Sequence, residues 1–450
     1  MRIHFIAIGG SAMHNLAIAL HKKGFNVTGS DDAVFEPSAG RLARFGLLPS
    51  EMGWHPEMIT TDLDAVILGM HAFVDNPELL RAQELGLKIY SYPEYIYEQT
   101  KNKLRVVIGG SHGKTTITSM ILHVLNFHGK DFDYLVGAQL EGFDTMVKVT
   151  DSAPMIIIEG DEYLASPIDR RPKFHLYKAN IAVISGVAWD HVNVFPTFGE
   201  YMLQFEAFIN TIQPGGKLIY CEADKELRNI VEVSNSEITK IGYEIPAHDV
   251  KSGITYLLPQ NLPLKVFGDH NLMNLSAAKL VCKEIGINED AFDEAIISFK
   301  GAAKRLELLF SENNTSVFKD FAHSPSKVKA TVEAVKSQFE ERKLVACLEL
   351  HTFSSLNKNF LLQYADTMIQ SDNPIVYIDE KTFQQKKITP FSEIDVRTAF
   401  KNDRLTFFDN ANTLGQYLRG LNFKDTNLLM MSSGTFGGMD LIKLARELNI

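Results

Sequence analysis

The spacing of apolar positions changes along the chain, and each change marks an element. Ile3, Phe5, Ile6 and Ile8 open a β-rich segment. After Gly9-Gly10-Ser11 the apolar residues Met13, Leu16, Ala17 and Leu20 fall at i, i+3, i+4 and i+7. That spacing predicts a helix to Lys23, with Gly24 as its stop. Phe25 to Gly29 predicts a second strand, ending at Ser30-Asp31. The order strand, turn, helix, strand opens a Rossmann-like sheet, and further strands are predicted over 64–68 and 87–90. The charged stretch 98–103 interrupts the pattern, and a strand over 104–108 starts a second round. A glycine turn leads there into a helix over 114–127, with Ile117, Met120, Ile121, Val124 and Leu125 on one face. Strands over 155–158, 181–185 and 218–220 follow, then short runs to Asn261 that predict hairpins, then helices over 271–285 and 289–299. A third round has strands over 317–321, 344–350, 374–378, 405–408 and 428–431, with helices between them, among them 326–339 and 356–369.

Three rounds in 450 residues agree with a prior of roughly 150 residues per domain. The predicted class is α/β with three domains. They are a Rossmann-like domain over 1–103, a central domain with a mostly parallel sheet over 104–312, and a second Rossmann-like domain over 313–450. An apolar share of 45% is ordinary for a globular chain and excludes wholesale disorder. Lys and Arg number 45 against 55 Asp and Glu, a net charge of −10, which disfavours general binding to nucleic acid or to an anionic membrane. Cys221, Cys282 and Cys347 lie far apart, so they form no metal knuckle, and an odd count suits a reducing compartment. The start, Met1 to Gly10, is too interrupted by glycine for a secretion signal, and no run approaches the roughly 20 apolar residues of a membrane helix. A cytoplasmic enzyme is the expectation.

The strongest chemical signal is Gly109-Gly110-Ser111-His112-Gly113-Lys114-Thr115-Thr116. A strand, a glycine turn and Gly-Lys-Thr at a helix start make a phosphate cradle. Backbone N–H groups point inward, the helix N-terminus adds positive potential, and Lys114 supplies a point charge. Thr115 or Thr116 can place a hydroxyl on Mg²⁺. The alternative is a glycine turn that only caps a helix. The second signal is an apolar strand, Ile156-Ile157-Ile158, that ends in Glu159, Asp161 and Glu162; carboxylates at that position suit Mg²⁺. The third is Trp189-Asp190-His191, placed where a neighbouring parallel strand would end. The N-terminal turn, Gly9-Gly10-Ser11, is weaker, because Ala7 and Ala12 stand where G-x-G-x-x-G has glycines. Asp31 follows about twenty residues on, where an acidic side chain reaches a ribose. A nucleotide ligand and a plain tight turn both remain open for that loop.

Taken together, these segments resemble the Mur ligase family, ATP-dependent amide-forming enzymes of peptidoglycan assembly. The family's phosphate loop stands at Gly110 to Thr115, its acidic strand end at Glu159 to Glu162 and its Asp-His pair at Asp190-His191. Its His-Asn-x-x-Asn stands at His270, Asn271 and Asn274, its Arg-x-Glu at Arg305-Leu306-Glu307, and its Asp-x-Ala-His at Asp320 to His323. The resemblance implies that Lys114, Glu159 and His191 are catalytic. Gly110, Ser111, His112, Gly113, Lys114, Thr115, Thr116, Asn271, Asn274, Arg305 and Asp320 would bind ATP. Thr115, Glu159 and His191 would hold Mg²⁺. Gly9, Gly10, Ser11 and Asp31 would bind a UDP-sugar, and His351 would meet the amino substrate. Two branches of the family start with a domain of this kind. One adds L-alanine to UDP-N-acetylmuramic acid; the other adds the tripeptide L-Ala-γ-D-Glu-meso-diaminopimelate to the same nucleotide sugar. Asp161-Glu162-Tyr163, Asp169 to Phe174, Phe299-Lys300-Gly301 and Met431 to Gly438 look like the second branch. A monomer or weak homodimer is the expected state. Three departures stand out. Glu349 to Ser354 carries no arginine where the branches place one, Ser324 replaces a second histidine, and no lysine occurs between His191 and Gly216 to be carbamylated. An NAD-dependent oxidoreductase, the rival class suggested by the N-terminal turn, leaves the Gly-Lys-Thr loop unexplained.

Overall fold

The computed structural model describes the chain except residues 141, 190–193, 235–236, 303–304, 387 and 449–450, and the side chains of 384 and 385. The chain forms two compact units. The first comprises Met1–Val187, Met202–Tyr243 and Ala277–Ile287; the second comprises Ala188–Tyr201, Glu244–Ser276 and Asn288–Ile450.

The first unit holds two sheets. Strands β1 (Arg2–Ile6), β2 (Asn26–Ser30), β3 (Ala65–Leu68) and β4 (Ile89–Ser91) form a parallel sheet in the order β2-β1-β3-β4. Helix Ser11–Lys22 joins β1 to β2, as the apolar spacing predicts. Strands β5 (Leu104–Gly109), β6 (Asp133–Leu135), β7 (Val147–Lys148), β8 (Met155–Glu159), β9 (Ile181–Ile184), β10 (Lys217–Cys221) and β11 (Thr239–Tyr243) form the second, in the order β11-β10-β9-β5-β8-β6-β7. Among the described residues, only the β6–β7 pair of this sheet is antiparallel. Val106, Val107 and Ile108 on β5 and Ile156 to Ile158 on β8 are fully buried, the near-continuous apolar run of a strand covered on both faces.

The second unit holds a meander and a third α/β sheet. Strands β12 (His248–Lys251), β13 (Ile254–Leu257) and β14 (Leu262–Leu264) are the predicted hairpins. Strands β15 (Glu307–Glu312), β16 (Thr315–Asp320), β17 (Lys343–Glu349), β18 (Asn373–Tyr377), β19 (Thr406–Phe408) and β20 (Thr426–Met431) form a sheet in the order β15-β16-β20-β17-β18-β19, antiparallel only at β15–β16. Both faces of β17 are buried. Ala346 and Leu348 pack with Val328 and Val332, while Val345 and Cys347 pack with Leu414, Leu418 and Leu444. All three cysteines are buried and free. Three mostly parallel sheets with crossover helices make the α/β class predicted.

Two expectations fail locally. The helix predicted over 356–369 is one turn of α-helix, Lys358–Leu361, and a 3-10 turn, Leu362–Tyr364. Asp366 sits at φ 61°, a left-handed conformation that a helix of L-residues does not continue. Strands β6, β7 and β15 have no counterpart among the predicted elements; β6 and β7 are three and two residues long and β15 is largely exposed, so each carries little periodic signal.

Candidate active site

The phosphate loop links β5 to helix Lys114–Phe127. Gly110 has φ 121°, and a Cβ there would lie 2.2 Å from Ser185 Oγ, so glycine is required twice over. Gly113, at φ 72°, is the residue before the helix, and Ile117 N–H donates back to its carbonyl at 2.8 Å. The loop is pinned to the end of β9: Ser111 N–H donates to Gly186 O at 3.0 Å, and Ser185 Oγ donates to His112 O.

Lys114 leans back over this loop. Its Nζ donates to Gly110 O at 2.6 Å and to Glu162 Oε2 at 2.8 Å. Burial works against the ammonium, but the charges of Glu162, Asp161 and Glu159 outweigh it and hold its pKa above the ordinary lysine value. Thr115 is the threonine turned to the acidic strand end, donating from Oγ1 to Glu159 Oε1 at 2.8 Å. The other oxygen of Glu159 accepts Gly137 N–H at 2.8 Å. Asp161 accepts Lys173 Nζ at 2.8 Å. The pairing of Lys114 with Glu162 is absent from the sequence reading; its signal was the third carboxylate after β8.

The structure thus brings Lys114, Thr115 and Glu159 together at the C-terminal ends of β5 and β8. Mg²⁺ takes hard oxygen donors and ordinarily keeps waters and substrate phosphates besides one or two protein ligands. A hydroxyl and a carboxylate oxygen at this edge fit that requirement. Asp190 and His191 lie outside the described residues. Among the described residues, no cluster of three His, Cys, Asp or Glu side chains forms a ready metal cage.

At the N-terminal turn, Gly9 N–H donates to Asp31 Oδ2 at 2.7 Å. Burial, opposed by Gly9 and reinforced by Asp32, raises the Asp31 pKa. Gly10 precedes the helix that begins at Ser11. Asp31 therefore lies against the glycine turn it follows by 22 positions. Asn15, on that first helix, accepts Met146 N–H at 3.1 Å, and Arg41 donates to Gln139 Oε1 at 3.1 Å. Both contacts reach the loop between β6 and β7, which also carries Gly137.

In the second unit, Asn271 and Asn274 stand three apart on helix Asp269–Glu284, hence on one face. Both are buried. Burial pushes the imidazole of His270 down to about 4, so it is neutral at pH 7. The guanidinium of Arg305 lies 4.7 Å from the centroid of the Phe321 ring. Asp320, at the end of β16, accepts Leu306 N–H at 2.5 Å and Ala322 N–H at 2.6 Å. Burial raises its pKa, against the pull of Arg305. His351 follows β17. A Cβ on Gly434 would lie 2.8 Å from Glu349 Oε2 and 3.0 Å from His351 Cγ, so the loop after β20 runs beside both. Glu349 is buried and accepts Ser432 Oγ and, at 2.8 Å, Phe436 N–H. This carboxylate was also missed, because it reads in sequence as part of the apolar strand predicted over 344–350.

Comparison with known proteins adds the family. Residues 108–282 match the Mur ligase middle domain, and 2–103 match the Mur ligase family, catalytic domain. A UDP-N-acetylmuramate–L-alanine ligase of Sulfurihydrogenibium sp. is 30% identical over 368 residues, 80% of this chain and 78% of that protein. The chain belongs to the Mur ligase family. Mur ligases are ATP-dependent enzymes that join acids to amino acids or peptides, and this chain is one of them. Two solved structures share its fold. A murein peptide ligase from Psychrobacter arcticus has a TM-score of 0.64 at 21% identity, covering 100% of this chain and 99% of that one. A UDP-N-acetylmuramate–alanine ligase from Thermotoga maritima has a TM-score of 0.68 at 21% identity, covering 99% and 97%. Among the described residues, no helix of this Mur ligase is long and apolar enough to cross a membrane.

Proposed function

We propose that this Mur ligase joins the lactyl carboxylate of UDP-N-acetylmuramic acid to the amine of L-Ala-γ-D-Glu-meso-diaminopimelate, a step of peptidoglycan recycling. The carboxylate attacks the γ-phosphate of ATP, ADP leaves, and an acyl phosphate forms. The amine then attacks the acyl carbon and phosphate leaves. The protein's task is positioning and charge neutralisation. Segment 1–103 takes the UDP-sugar through Gly9, Gly10, Ser11 and Asp31. Segment 104–312 takes ATP, with Lys114 and the backbone of Gly110 to Thr116 on the phosphates. Asn271, Asn274, Arg305 and Asp320 take adenine, phosphate and ribose. Segment 313–450 takes the amino substrate beside His351. Mg²⁺, when bound, neutralises phosphate charge during transfer; Thr115, Glu159 and His191 are the residues assigned to hold it. The enzyme works in the cytoplasm as a monomer or weak homodimer.

The observation that carries the ligase chemistry is the phosphate loop, with Thr115 on Glu159 and Lys114 on Glu162. The tripeptide rests on the stretches Asp161 to Tyr163, Asp169 to Phe174, Phe299 to Gly301 and Met431 to Gly438. A second reading, L-alanine as acceptor, is favoured by the curated relatives, which carry that activity in their names. Phosphate release with ATP, Mg²⁺ and UDP-N-acetylmuramic acid, compared between the tripeptide and L-alanine, separates the two. Preference for the tripeptide supports the proposal; preference for L-alanine replaces it with the second reading.

A further inference from the structure

The third sheet carries a cavity of about 580 Å³ that, among the described residues, none of those assigned a role lines. Phe353, Leu356 and Phe360 wall it from the segment after β17; Ile388 and Phe391 wall it from the segment after β18. β17 and β18 are adjacent and parallel, with Leu348 opposite Val376 and Glu349 opposite Tyr377. Open α/β sheets bind ligands beyond the carboxyl ends of their strands. His351 is the second residue of the first of these segments.

One lysine lines this cavity and a second sits on one of its walls, and they differ. Lys358 lines it and is engaged by Asp395 at 3.3 Å. Lys386 ends helix Glu380–Lys386, and its Nζ lies 4.0 Å from the centroid of the Phe353 ring. Among the described residues, Lys386 has no carboxylate partner. Burial lowers its pKa, the mark of an ammonium that has lost water without gaining a counter-charge. Phe353 is 62% exposed, so the ring that carries the ammonium borders both solvent and the cavity. A partly desolvated ammonium on an aromatic face recruits an anion. The stretch Glu349 to Ser354 holds no arginine to do so.

We propose that this cavity is the acceptor pocket, and that Lys386, seated on Phe353, binds a carboxylate of the amino acceptor while the aromatic walls take its methylene chain. This rests on the ligase reading above and names a specificity residue for it. An acceptor with a long aliphatic chain and a distal carboxylate uses both features; L-alanine has no such chain.

The test uses the full chain, with Lys386→Met and Lys386→Arg beside wild type. Apparent KM is measured separately for acceptor, ATP and UDP-N-acetylmuramic acid. Losing one charge-assisted contact raises the tripeptide KM about tenfold or more. The other two KM values stay within about twofold, and Lys386→Arg restores most of the loss, which a merely structural role would not produce. Amidating the distal carboxylate of the tripeptide penalises wild type equally and Lys386→Met no further. An unchanged acceptor KM in Lys386→Met overturns the proposal. If wild type uses L-alanine and not the tripeptide, the tripeptide reading fails by itself. Lys386 is then judged on the KM for L-alanine, where a rise supports it and no change overturns it. Calorimetric binding of the tripeptide to wild type and Lys386→Met supplies a readout without turnover, and equal affinity there also overturns the proposal.

Discussion

At the scale of single residues, Lys114 holds the most consequential charge. Its side chain is 16% exposed and already paired with Glu162, so its loss strands a buried carboxylate as well as the phosphate contact. We predict that Lys114→Ala lowers turnover by about a hundred- to a thousandfold, while the far-ultraviolet circular dichroism stays that of wild type. Activity near the parent level would remove the loop from the mechanism. Gly110→Ala combines a left-handed φ with a Cβ 2.2 Å from Ser185 Oγ, and should cost at least about 1–3 kcal/mol in a denaturant titration. Ala7 poses the reverse question. It holds φ 66° where related nucleotide loops have glycine, yet its methyl is buried. Relief of about 1 kcal/mol of strain in Ala7→Gly is offset by about 0.8 kcal/mol of lost methyl burial, so its stability should stay within about 1 kcal/mol of wild type. At this scale the sequence showed that Lys114 and a threonine matter. It did not show which carboxylate each one meets, because Glu159, Asp161 and Glu162 are equivalent until the turn after β8 aims them.

Elements were legible where both faces of a strand or one face of a helix are apolar. Helix Lys114–Phe127 appears where its apolar spacing places it. The exposed β15 was not legible, and neither was the break after Tyr364, because a left-handed Asp366 leaves no hydrophobic mark. Element junctions depend on polar ties that periodicity ignores. Glu78, on helix Pro77–Glu84, is fully buried. It accepts His55 N–H at 2.5 Å and Ser30 Oγ at 2.5 Å, and lies 3.3 Å from His4 Nε2. Burial alone would raise its pKa, but His4, His55 and Ser30 outweigh that and lower it. A carboxylate with a depressed folded pKa contributes stability above its unfolded pKa of about 4.3, and that contribution fades as pH falls through the folded value. Glu78→Gln should therefore be less stable than wild type at pH 7, and the gap should narrow between about pH 5 and pH 3. Parallel unfolding curves across that range would show that the tie is not ionic.

For the whole molecule, ligand linkage gives a test that needs no acceptor. Mg²⁺-ATP at about 100 times its Kd adds about 2.7 kcal/mol to the folded state that binds it. A thermal scan of wild type should shift upward on adding Mg²⁺-ATP, and Lys114→Ala should shift little; an equal shift in both would place nucleotide binding elsewhere. The α/β class, the three rounds of strand and helix and the motifs that carry the resemblance to a ligase family were all legible in the sequence. Those are properties of periodicity and of residues adjacent in the chain, since a glycine loop carries its own lysine. Only the tertiary structure decided the pairing of Lys114 with Glu162, the contact of Asn15 with Met146 and the meeting of Phe353 with Lys386. Each joins residues dozens of positions apart or more, and strand order, not spacing, sets which loop ends share an edge. An apolar pattern reports that a strand is buried; it carries no record of its neighbours, so the acceptor cavity became visible only when β17 and β18 lay side by side.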